Sequence, residues 1–417
     1  MGKKYSAWLM LGGLFVCYVI SNGVVLNTLP IFYPELISEF SWDQAEVTRP
    51  AQLMFFTVAL ISPFIGIALD RGNPRKIMLG GILMMTAAFF WFANIRSLVE
   101  MTGVYLLFSV GIVMGGIIPS MYILTKWFVR YRGIAVGILL VGSSFGGTLF
   151  NPLAAWGTAS FGWRGSLLLL GAIAAVCMLG SLFFFIRNRP ADIGLGVDGR
   201  EGGPLQEDAT ASGVSPEGPA LADALRSPSF YLLMLVTGAM WFCIVGVIQH
   251  QALYFKDIGD RLPASAGVLS AFFFCSILGK LLFGKLGDRY PKKAIMAIAT
   301  LNLALGALLL YLLGTYPGMV WAYAVVFGIG FSGTFTMIQV LVAEFYAGKA
   351  YGKILGIVTM VDTLSGVMGI LILGQLRSAQ GDYHQALQIL LAMSILAAVS
   401  VPFLKNPVKE SATIEAI

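Results

Sequence analysis

Three ionisable side chains lie inside long apolar stretches of the sequence, where charge is costly. Lys280 stands about six residues from the end of its stretch and Asp362 about eight residues into another, roughly 9 Å and 12 Å deep at 1.5 Å per helical residue. His250 lies near the opposite end of a third stretch. An ionisable group inside a membrane is expensive unless it faces a cavity or a partner, so all three are candidates for binding or proton transfer.

The chemistry of these residues suggests a division of roles. A lysine can bind a carboxylate as a point charge, and a carboxyl group in a low dielectric favours its protonated form, so Lys280 is predicted to bind an anion and Asp362 a proton. A Lys280–Asp362 salt bridge that only stabilises the fold is the alternative. His250 is predicted to shuttle protons or donate a hydrogen bond to substrate, with a structural histidine as the alternative.

The composition identifies lipid as the solvent of this chain. Of 417 residues, 58% are hydrophobic and 12% are charged, whereas a soluble domain carries roughly 25% charged residues. The four cysteines are far apart within apolar runs, and only two histidines are present, so neither disulfides nor a metal site are expected. No complete phosphate-binding glycine motif occurs, so we expect neither an enzyme nor a bound cofactor.

Twelve apolar runs are long enough to cross a bilayer as helices, which takes about 20 residues each. The sequence therefore predicts an all-α integral membrane protein of two six-helix bundles. The runs begin near Ala7, Val47, Ile77, Met101, Ile134, Arg164, Phe230, Pro263, Ala294, Pro317, Ile354 and His384.

A polar segment separates the two sets of six runs. Residues 187–229 are rich in Gly, Pro, Glu, Asp and Ser and contain almost no apolar core, which is typical of a linker that is partly disordered. The predicted domains are therefore 1–186, a cytoplasmic linker 187–229, and 230–417 with a short cytoplasmic tail.

The distribution of Lys and Arg predicts the orientation, because cytoplasmic loops carry the excess of positive charge. With both termini inside, most of the 27 Lys and Arg residues fall on the cytoplasmic side, and Lys280 lies within a span. Those on the outer side are Arg49, Arg96, Arg164, Lys256, Arg261 and Arg377. The basic net charge of +6 is thus an orientation signal, and no nucleic-acid partner is expected.

Two inner loops repeat each other at an offset of 218 residues. Gly66-x-x-x-Asp70-Arg71 is followed by a basic pair, and Gly284-x-x-x-Asp288-Arg289 is followed by another. A second echo, at an offset of 219, matches Arg132-Gly133-x-x-x-Gly137 with Tyr351-Gly352-x-x-x-Gly356. Internal repeats of this kind are typical of transporters that bind substrate between the two halves.

The repeated loop resembles the signature of the major facilitator superfamily in both halves. We expect Asp70 and Asp288 to accept hydrogen bonds from a neighbouring helix N-terminus or to pair with a basic residue. With Arg71 and Arg289 they would then form an inner gate that opens as the halves rock; the alternative is that the basic residues only set orientation.

Further features resemble the oxalate/formate antiporter and monocarboxylate porter branch of that superfamily. The linker contains Arg189-Pro190-Ala-Asp192-Ile-Gly194, His250 precedes Tyr254-Phe255, and Lys280 stands where this branch has a cation, usually Arg. The first span reads Ser21-Asn22-Gly23 and departs from the acidic pattern of animal monocarboxylate porters.

The resemblance also implies which helices border a central pathway. Neutral polar and aromatic residues on these helices are predicted to contact substrate. They are Asn27 and Asn22 in the first span, Pro119 and Tyr122 in the fourth, Phe145 in the fifth, Ser276 in the eighth, and Phe331, Phe335 and Gln339 in the tenth.

The function predicted from these features is proton-coupled symport of a small monocarboxylate. The partners are then a small organic anion, protons and the lipid bilayer, and the protein is expected to be a monomer in a bacterial inner membrane. The alternatives are an anion exchanger of oxalate/formate type, a proton-driven efflux carrier, and a membrane receptor or scaffold that transports nothing.

Overall fold

The structure is a computed structural model that describes residues 7–199, 219–258 and 265–405. Every regular element in these ranges is helical, and eleven stretches are long and apolar enough to cross a membrane. Helices satisfy their own backbone hydrogen bonds, which lipid cannot do. The predicted all-α membrane architecture is confirmed. The middle of the predicted linker, Arg261 and the predicted start at Pro263 lie outside the described residues.

One of the eleven stretches contains two spans. Arg132–Phe185 has 54 residues, about 80 Å of helix against a hydrocarbon core of about 30 Å. Gly162 interrupts it with φ 71° and ψ 168°, a backbone conformation that is not helical. The stretch therefore forms two crossings, and the number of spans is the predicted twelve.

We label the spans α1 to α12. They are α1 (Ala7–Phe40), α2 (Gln44–Arg71), α3 (Pro74–Phe92), α4 (Leu98–Trp127), α5 (132–161), α6 (163–185), α7 (Pro228–Ile258), α8 (Ser265–Arg289), α9 (Lys292–Leu312), α10 (Val320–Tyr346), α11 (Tyr351–Gln380) and α12 (His384–Ser400). Some of them contain irregular turns: α1 has a π-turn at Val19–Val24, α4 is interrupted at Gly116, and α6 ends in a π-turn at Ser181–Phe185.

The chain forms two compact units. Unit 1 comprises the residues up to Arg130, together with Ile138–Val214 and Tyr351–Met360, so it includes the first turns of α11. Unit 2 comprises Tyr131–Gly137, Ser215–Ala350 and the residues from Val361 onward, so it includes the first turns of α5. The domain limits 1–186 and 230–417 remain a prediction.

Each unit contains a glycine crossing that the sequence repeat specifies. In unit 1, a Cβ atom at Gly66 would overlap the carbonyl oxygen of Gly352. In unit 2, a Cβ atom at Gly284 would overlap the carbonyl oxygen of Gly133. The first glycine of the repeated loop is therefore required because two backbones touch at that position.

The aspartate one turn after each crossing caps the helix that it meets. Asp70 accepts hydrogen bonds from the backbone amides of Gly352 at 2.8 Å and Lys353 at 3.0 Å, at the start of α11. Asp288 accepts in the same way from the two matching amides at the start of α5, at 2.6 and 2.9 Å. Carboxylates stabilise helix N-termini because the amides there lack intrahelical partners.

The described beginning of the predicted linker packs on unit 1. The Asp198 carboxylate accepts hydrogen bonds from the backbone amides of Val129 at 3.2 Å and Arg130 at 3.1 Å. The indole of Trp127 donates to the Arg187 carbonyl at 3.0 Å. These contacts fix residues 187–199 against the end of α4.

Gly162 provides a test of the break between α5 and α6. Gly162→Ala should lower the free energy of unfolding by roughly 1–3 kcal/mol, because only glycine adopts this φ and ψ without strain. No neighbouring atom lies within 4 Å of a Cβ at this position, so the cost is one of backbone conformation. The measurement is thermal unfolding in detergent.

Gly180→Ala is the matched control. Gly180 has a helical φ of −55° and the same open space around a Cβ, so alanine should stabilise the protein by roughly 0.5–1 kcal/mol. Equal melting temperatures for the two variants would contradict the assigned break.

Candidate functional site

Lys280 lies in the interior of unit 2, on α8, with 1% of its surface exposed. Its ammonium group stands over two aromatic rings of α10, 5.8 Å from the centroid of Phe331 and 5.9 Å from that of Phe335. Attraction to ring faces is worth about 0.5–2 kcal/mol, which is less than the cost of burying a charge. Anion binding by Lys280 stays a prediction.

The faces of α8 and α10 around this ammonium are formed by residues spaced four apart. Ser276 lies one turn before Lys280, and Phe331, Phe335 and Gln339 follow one another along α10, so each set shares one helix face. The rings of Phe331 and Phe335 are parallel within 7° at 6.3 Å. The structure thus brings together three of the predicted residues, Lys280, Phe331 and Phe335.

Asp362 lies on α11 in the same unit and is 5% exposed. Its carboxyl group is faced from α7 by Thr237 and Trp241. The two helices approach closely because Gly369 lies against the backbone of Phe242. A carboxyl group in this position is shielded from water and able to hold a proton.

Lys280 and Asp362 are connected through aromatic rings. The Trp241 ring, beside Asp362, packs edge-on against Phe335 at 5.1 Å and 80°. The Lys280 ammonium lies over the ring of the same Phe335. None of the ion pairs between described residues joins Asp362 to Lys280. The geometry therefore differs from the purely structural salt bridge that the sequence left open.

Several polar atoms of this region are buried without a hydrogen-bond partner among the described residues. An unsatisfied buried polar atom costs about 1–3 kcal/mol, and native proteins contain few of them. In unit 2 they include Ser276 Oγ, Gln339 Oε1, Thr334 Oγ1, Thr336 Oγ1, Trp241 Nε1 and Asp362 Oδ1. These atoms lie on α7, α8, α10 and α11.

His250 makes hydrogen bonds through both ring nitrogens. Nε2 lies 3.0 Å from the Ile370 carbonyl, which only accepts, so Nε2 carries the proton. Nδ1 lies 2.9 Å from the Tyr383 hydroxyl; burial raises the pKa of that tyrosine, which therefore stays protonated and donates to Nδ1. The geometry favours a structural role, and substrate binding by His250 stays a prediction.

Tyr383 also contacts a charged pair, and we call the group of His250, Tyr383, Arg377 and Asp257 the clamp. Arg377 lies over its ring, with the guanidinium carbon 5.5 Å from the centroid. The Arg377 guanidinium also makes two hydrogen bonds to the Asp257 carboxylate, at 2.8 and 2.9 Å. The clamp therefore ties the end of α7 to α11 and to the turn that precedes α12.

The candidates in unit 1 have different surroundings. Tyr122 is 5% exposed, stacks on Tyr351 at 6.2 Å, and carries the Lys126 ammonium 4.0 Å from its ring centroid. Asn27 donates to the Ser143 carbonyl at 3.1 Å. All four helix segments involved belong to unit 1, and the substrate roles of Tyr122 and Asn27 stay predictions.

Three other predicted residues, Phe145, Arg71 and Arg289, are exposed. Phe145 is 45% exposed and contacts Phe15 at 6.0 Å. Arg71 and Arg289 are exposed, and Arg289 lies 5.7 Å from the ring centroid of Tyr290. The two aspartates of the predicted gate thus make defined contacts with helix N-termini, whereas the arginines face outward.

The sequence reasoning missed Thr237 and Trp241. Both lie within an apolar run and are four residues apart, so they share a face of α7. The available signal was the indole N–H of a tryptophan in the middle of a span, since a buried tryptophan usually finds a partner for it.

No metal centre accompanies this site in the described part of the chain. Within residues 7–199, 219–258 and 265–405, no group of three or more His, Cys, Asp and Glu side chains is placed to hold a metal ion.

Comparisons with known proteins agree with the architecture. The family model described as Major Facilitator Superfamily matches residues 14–269 and 254–416. Monocarboxylate transporter 13 of Bos taurus is 28% identical over 389 residues, covering 90% of this chain and 84% of that protein. Monocarboxylate transporter 1 of Rattus norvegicus is 23% identical, covering 90% and 80%.

Two further similarities cover nearly the full length. The uncharacterized MFS-type transporter YcxA of Bacillus subtilis (strain 168) is 23% identical over 97% of both chains. The crystal structure of FucP, an MFS transporter in the outward conformation, superposes with a TM-score of 0.69 at 13% identity, over 95% of this chain and 98% of that one. At that identity the likeness concerns the fold alone.

The clamp around His250 can be tested by stability. His250→Ala should lower the free energy of unfolding by roughly 1–3 kcal/mol, because it removes two hydrogen bonds of about 1 kcal/mol each and leaves the Ile370 carbonyl unpaired. Tyr383→Phe removes only one of the two bonds and should cost about half as much. Thermal unfolding in detergent measures both.

The His250→Ala variant also distinguishes a structural role of His250 from a role in substrate binding. Normal stability in His250→Ala, combined with a raised KM for the transported anion, would overturn the structural assignment in favour of substrate binding.

Proposed function

The chain belongs to the major facilitator superfamily, and from that premise we propose that it carries a small monocarboxylate together with a proton across the membrane. Lys280 binds the carboxylate and Asp362 binds the proton. The observation that carries this proposal is the placement of two opposite, buried, ionisable groups in one unit without an ion pair between them.

The energetics of burial support the anion-binding role of Lys280. A charge inside a protein in lipid is stabilised when an opposite charge joins it. A carboxylate that reaches Lys280 supplies that opposite charge. The flat faces of Phe331 and Phe335 offer apolar contact to the short body of the acid.

A lysine defines the substrate less narrowly than an arginine would. A guanidinium clamps a carboxylate with two parallel hydrogen bonds, whereas an ammonium is a point charge. Other groups must then orient the acid, and Ser276 and Gln339 are the polar side chains on the same helix faces, with Oγ and Oε1 unpartnered among the described residues.

The cost of burying a charge also supports the proton-binding role of Asp362, because protonation removes its negative charge. Its Oδ1 is buried and finds no hydrogen-bond partner in the described part of the chain. Binding a proton therefore neutralises the buried carboxylate without breaking a hydrogen bond of that oxygen. One proton and one monocarboxylate then neutralise Asp362 and Lys280 together. Empty and fully loaded carriers have the same net charge, and both can reorient.

The relatives named monocarboxylate transporters favour a monocarboxylate over other anions. Asp70 and Asp288, with Arg71 and Arg289, are proposed to form the inner gate, since each aspartate caps a helix start. Tyr122, Asn27 and Phe145 are proposed to contact substrate from unit 1. The carrier is proposed to act as a monomer in a bacterial inner membrane with both termini in the cytoplasm.

Transport by purified protein in liposomes tests the proposal. Uptake of labelled lactate should accelerate when an inward proton gradient is imposed, and protons should enter with the anion. Uptake that ignores the gradient but rises with internal oxalate or formate would replace symport by anion exchange.

Lys280→Ala should abolish saturable anion uptake, by about a hundredfold or more, because the positive charge proposed to hold the carboxylate is lost. The matched control is Lys285→Ala, which removes an exposed lysine of the same helix and should leave the uptake rate unchanged. Equal uptake by the two variants would exclude Lys280 as the anion site.

Asp362→Asn should separate the anion from the proton. The amide is permanently neutral, so the variant should still exchange anion across the membrane while uptake no longer responds to the proton gradient. Asp382→Asn, at an exposed position shortly after α11, is the control and should remain coupled. Wild-type proton coupling in Asp362→Asn would refute the assigned role.

A further inference from the structure

Trp241 lies between the two charged groups. The edge of its ring contacts Phe335 at 5.1 Å, and its Nε1 is buried without a hydrogen-bond partner among the described residues. The neighbouring Asp362 carboxyl has an oxygen, Oδ1, in the same condition. An indole N–H can only donate and a carboxylate can only accept, so the two groups complement each other when Asp362 is ionised.

The surroundings of Asp362 contain few other groups that could sense its charge. α7 packs against α11 through Gly238 and Gly369, and from α7 the carboxyl is faced by Thr237 and Trp241. The Thr237 hydroxyl lies 3.4 Å from the Met234 carbonyl of its own helix. Thr237 and Trp241 are thus the two side-chain donors beside Asp362, and of the two Trp241 also contacts Phe335.

We infer that Trp241 is a positioning residue that links the protonation of Asp362 to anion binding at Lys280. This inference rests on the proposed function. It adds a residue through which proton binding at Asp362 affects anion binding at Lys280. Neither the anion nor the proton has to touch Trp241 for this link to operate.

Two states of the ring explain the link. When Asp362 is ionised, its carboxylate accepts a charge-assisted hydrogen bond from Nε1, and this bond draws the ring toward α11. When Asp362 takes up a proton, the bond weakens and the ring stays packed against Phe335. Because Phe335 lies beneath the Lys280 ammonium, the protonated state holds the anion site in its binding arrangement.

Packing alone does not account for a tryptophan at this position. A phenylalanine would fill the contact with Phe335 without burying an N–H donor, and an unsatisfied buried donor is destabilising. The positive edge of the indole also disfavours a metal cation beside Asp362, because a cation would lie next to the N–H. A buried N–H donor beside Asp362 fits a side chain that alternates between a carboxylate and a carboxylic acid.

Trp241→Phe tests the link in proteoliposomes. The ring and its contact with Phe335 remain, but the donor is lost, so KM for lactate should depend about tenfold less on pH, the order of the effect of one hydrogen bond to a charged group. The rate at saturating lactate and acidic pH should stay near that of the wild type. The control is Trp321→Phe, which replaces a tryptophan of the same unit that is 46% exposed and should retain the wild-type profile.

Tryptophan fluorescence gives a second readout that does not require transport. The emission of the wild type should change with pH, because the environment of the Trp241 indole changes when Asp362 ionises. The change should vanish in Trp241→Phe, and also in Asp362→Asn, which keeps all eight tryptophans. A pH response that persists in Asp362→Asn would refute the link even if Trp241→Phe failed to fold.

These outcomes separate the inference from the proposed function. If Asp362→Asn loses proton coupling while Trp241→Phe keeps the wild-type dependence of KM on pH, the symport assignment stands and the role of Trp241 is wrong. If Asp362→Asn remains coupled to protons, the proton-binding role of Asp362 in the proposed function fails, whatever Trp241→Phe does.

Discussion

The cost of placing a charge where water cannot reach it governs the arrangement of unit 2. Lys280 and Asp362 are 1% and 5% exposed, and a buried charge must be matched by an opposite charge, by a proton or by oriented dipoles. The helices around them carry polar atoms that lack partners among the described residues. A ligand of matching charge and polarity that reached these groups would relieve the cost of burying them, and this relief would contribute to its binding energy.

The scaffold meets a second constraint, the close approach of helices in lipid. Small residues let helix backbones touch where the hydrophobic effect no longer drives association. The crossings Gly66–Gly352 and Gly284–Gly133 are such contacts, and an aspartate one turn later caps the crossing helix in each unit. A single motif thus specifies both the approach of two helices and the electrostatic bond that secures it.

The sequence predicted the spans and the burial of Lys280 and Asp362 because both depend on local pattern. Apolar runs of about 20 residues, the repeated Gly-x-x-x-Asp-Arg loop and isolated ionisable residues can all be recognised without coordinates. The sequence could not give the neighbours of a residue on another helix. Tyr383 as the partner of His250 and Trp241 as the neighbour of Asp362 depend on how α7 and α11 pack.

The indirect connection between Lys280 and Asp362 has a physical consequence for coupling. If the two formed a salt bridge, each would satisfy the other, and an incoming anion would first have to break that bond. Phe335 and Trp241 lie between the two groups, so in the proposed mechanism the anion and the proton bind without first breaking a bond between Lys280 and Asp362. Aromatic rings suit this separation because they exclude water, stabilise a cation through their faces and, in tryptophan, present one donor to a carboxylate. In the proposed mechanism the same rings transmit the protonation state of Asp362 to the anion site at Lys280.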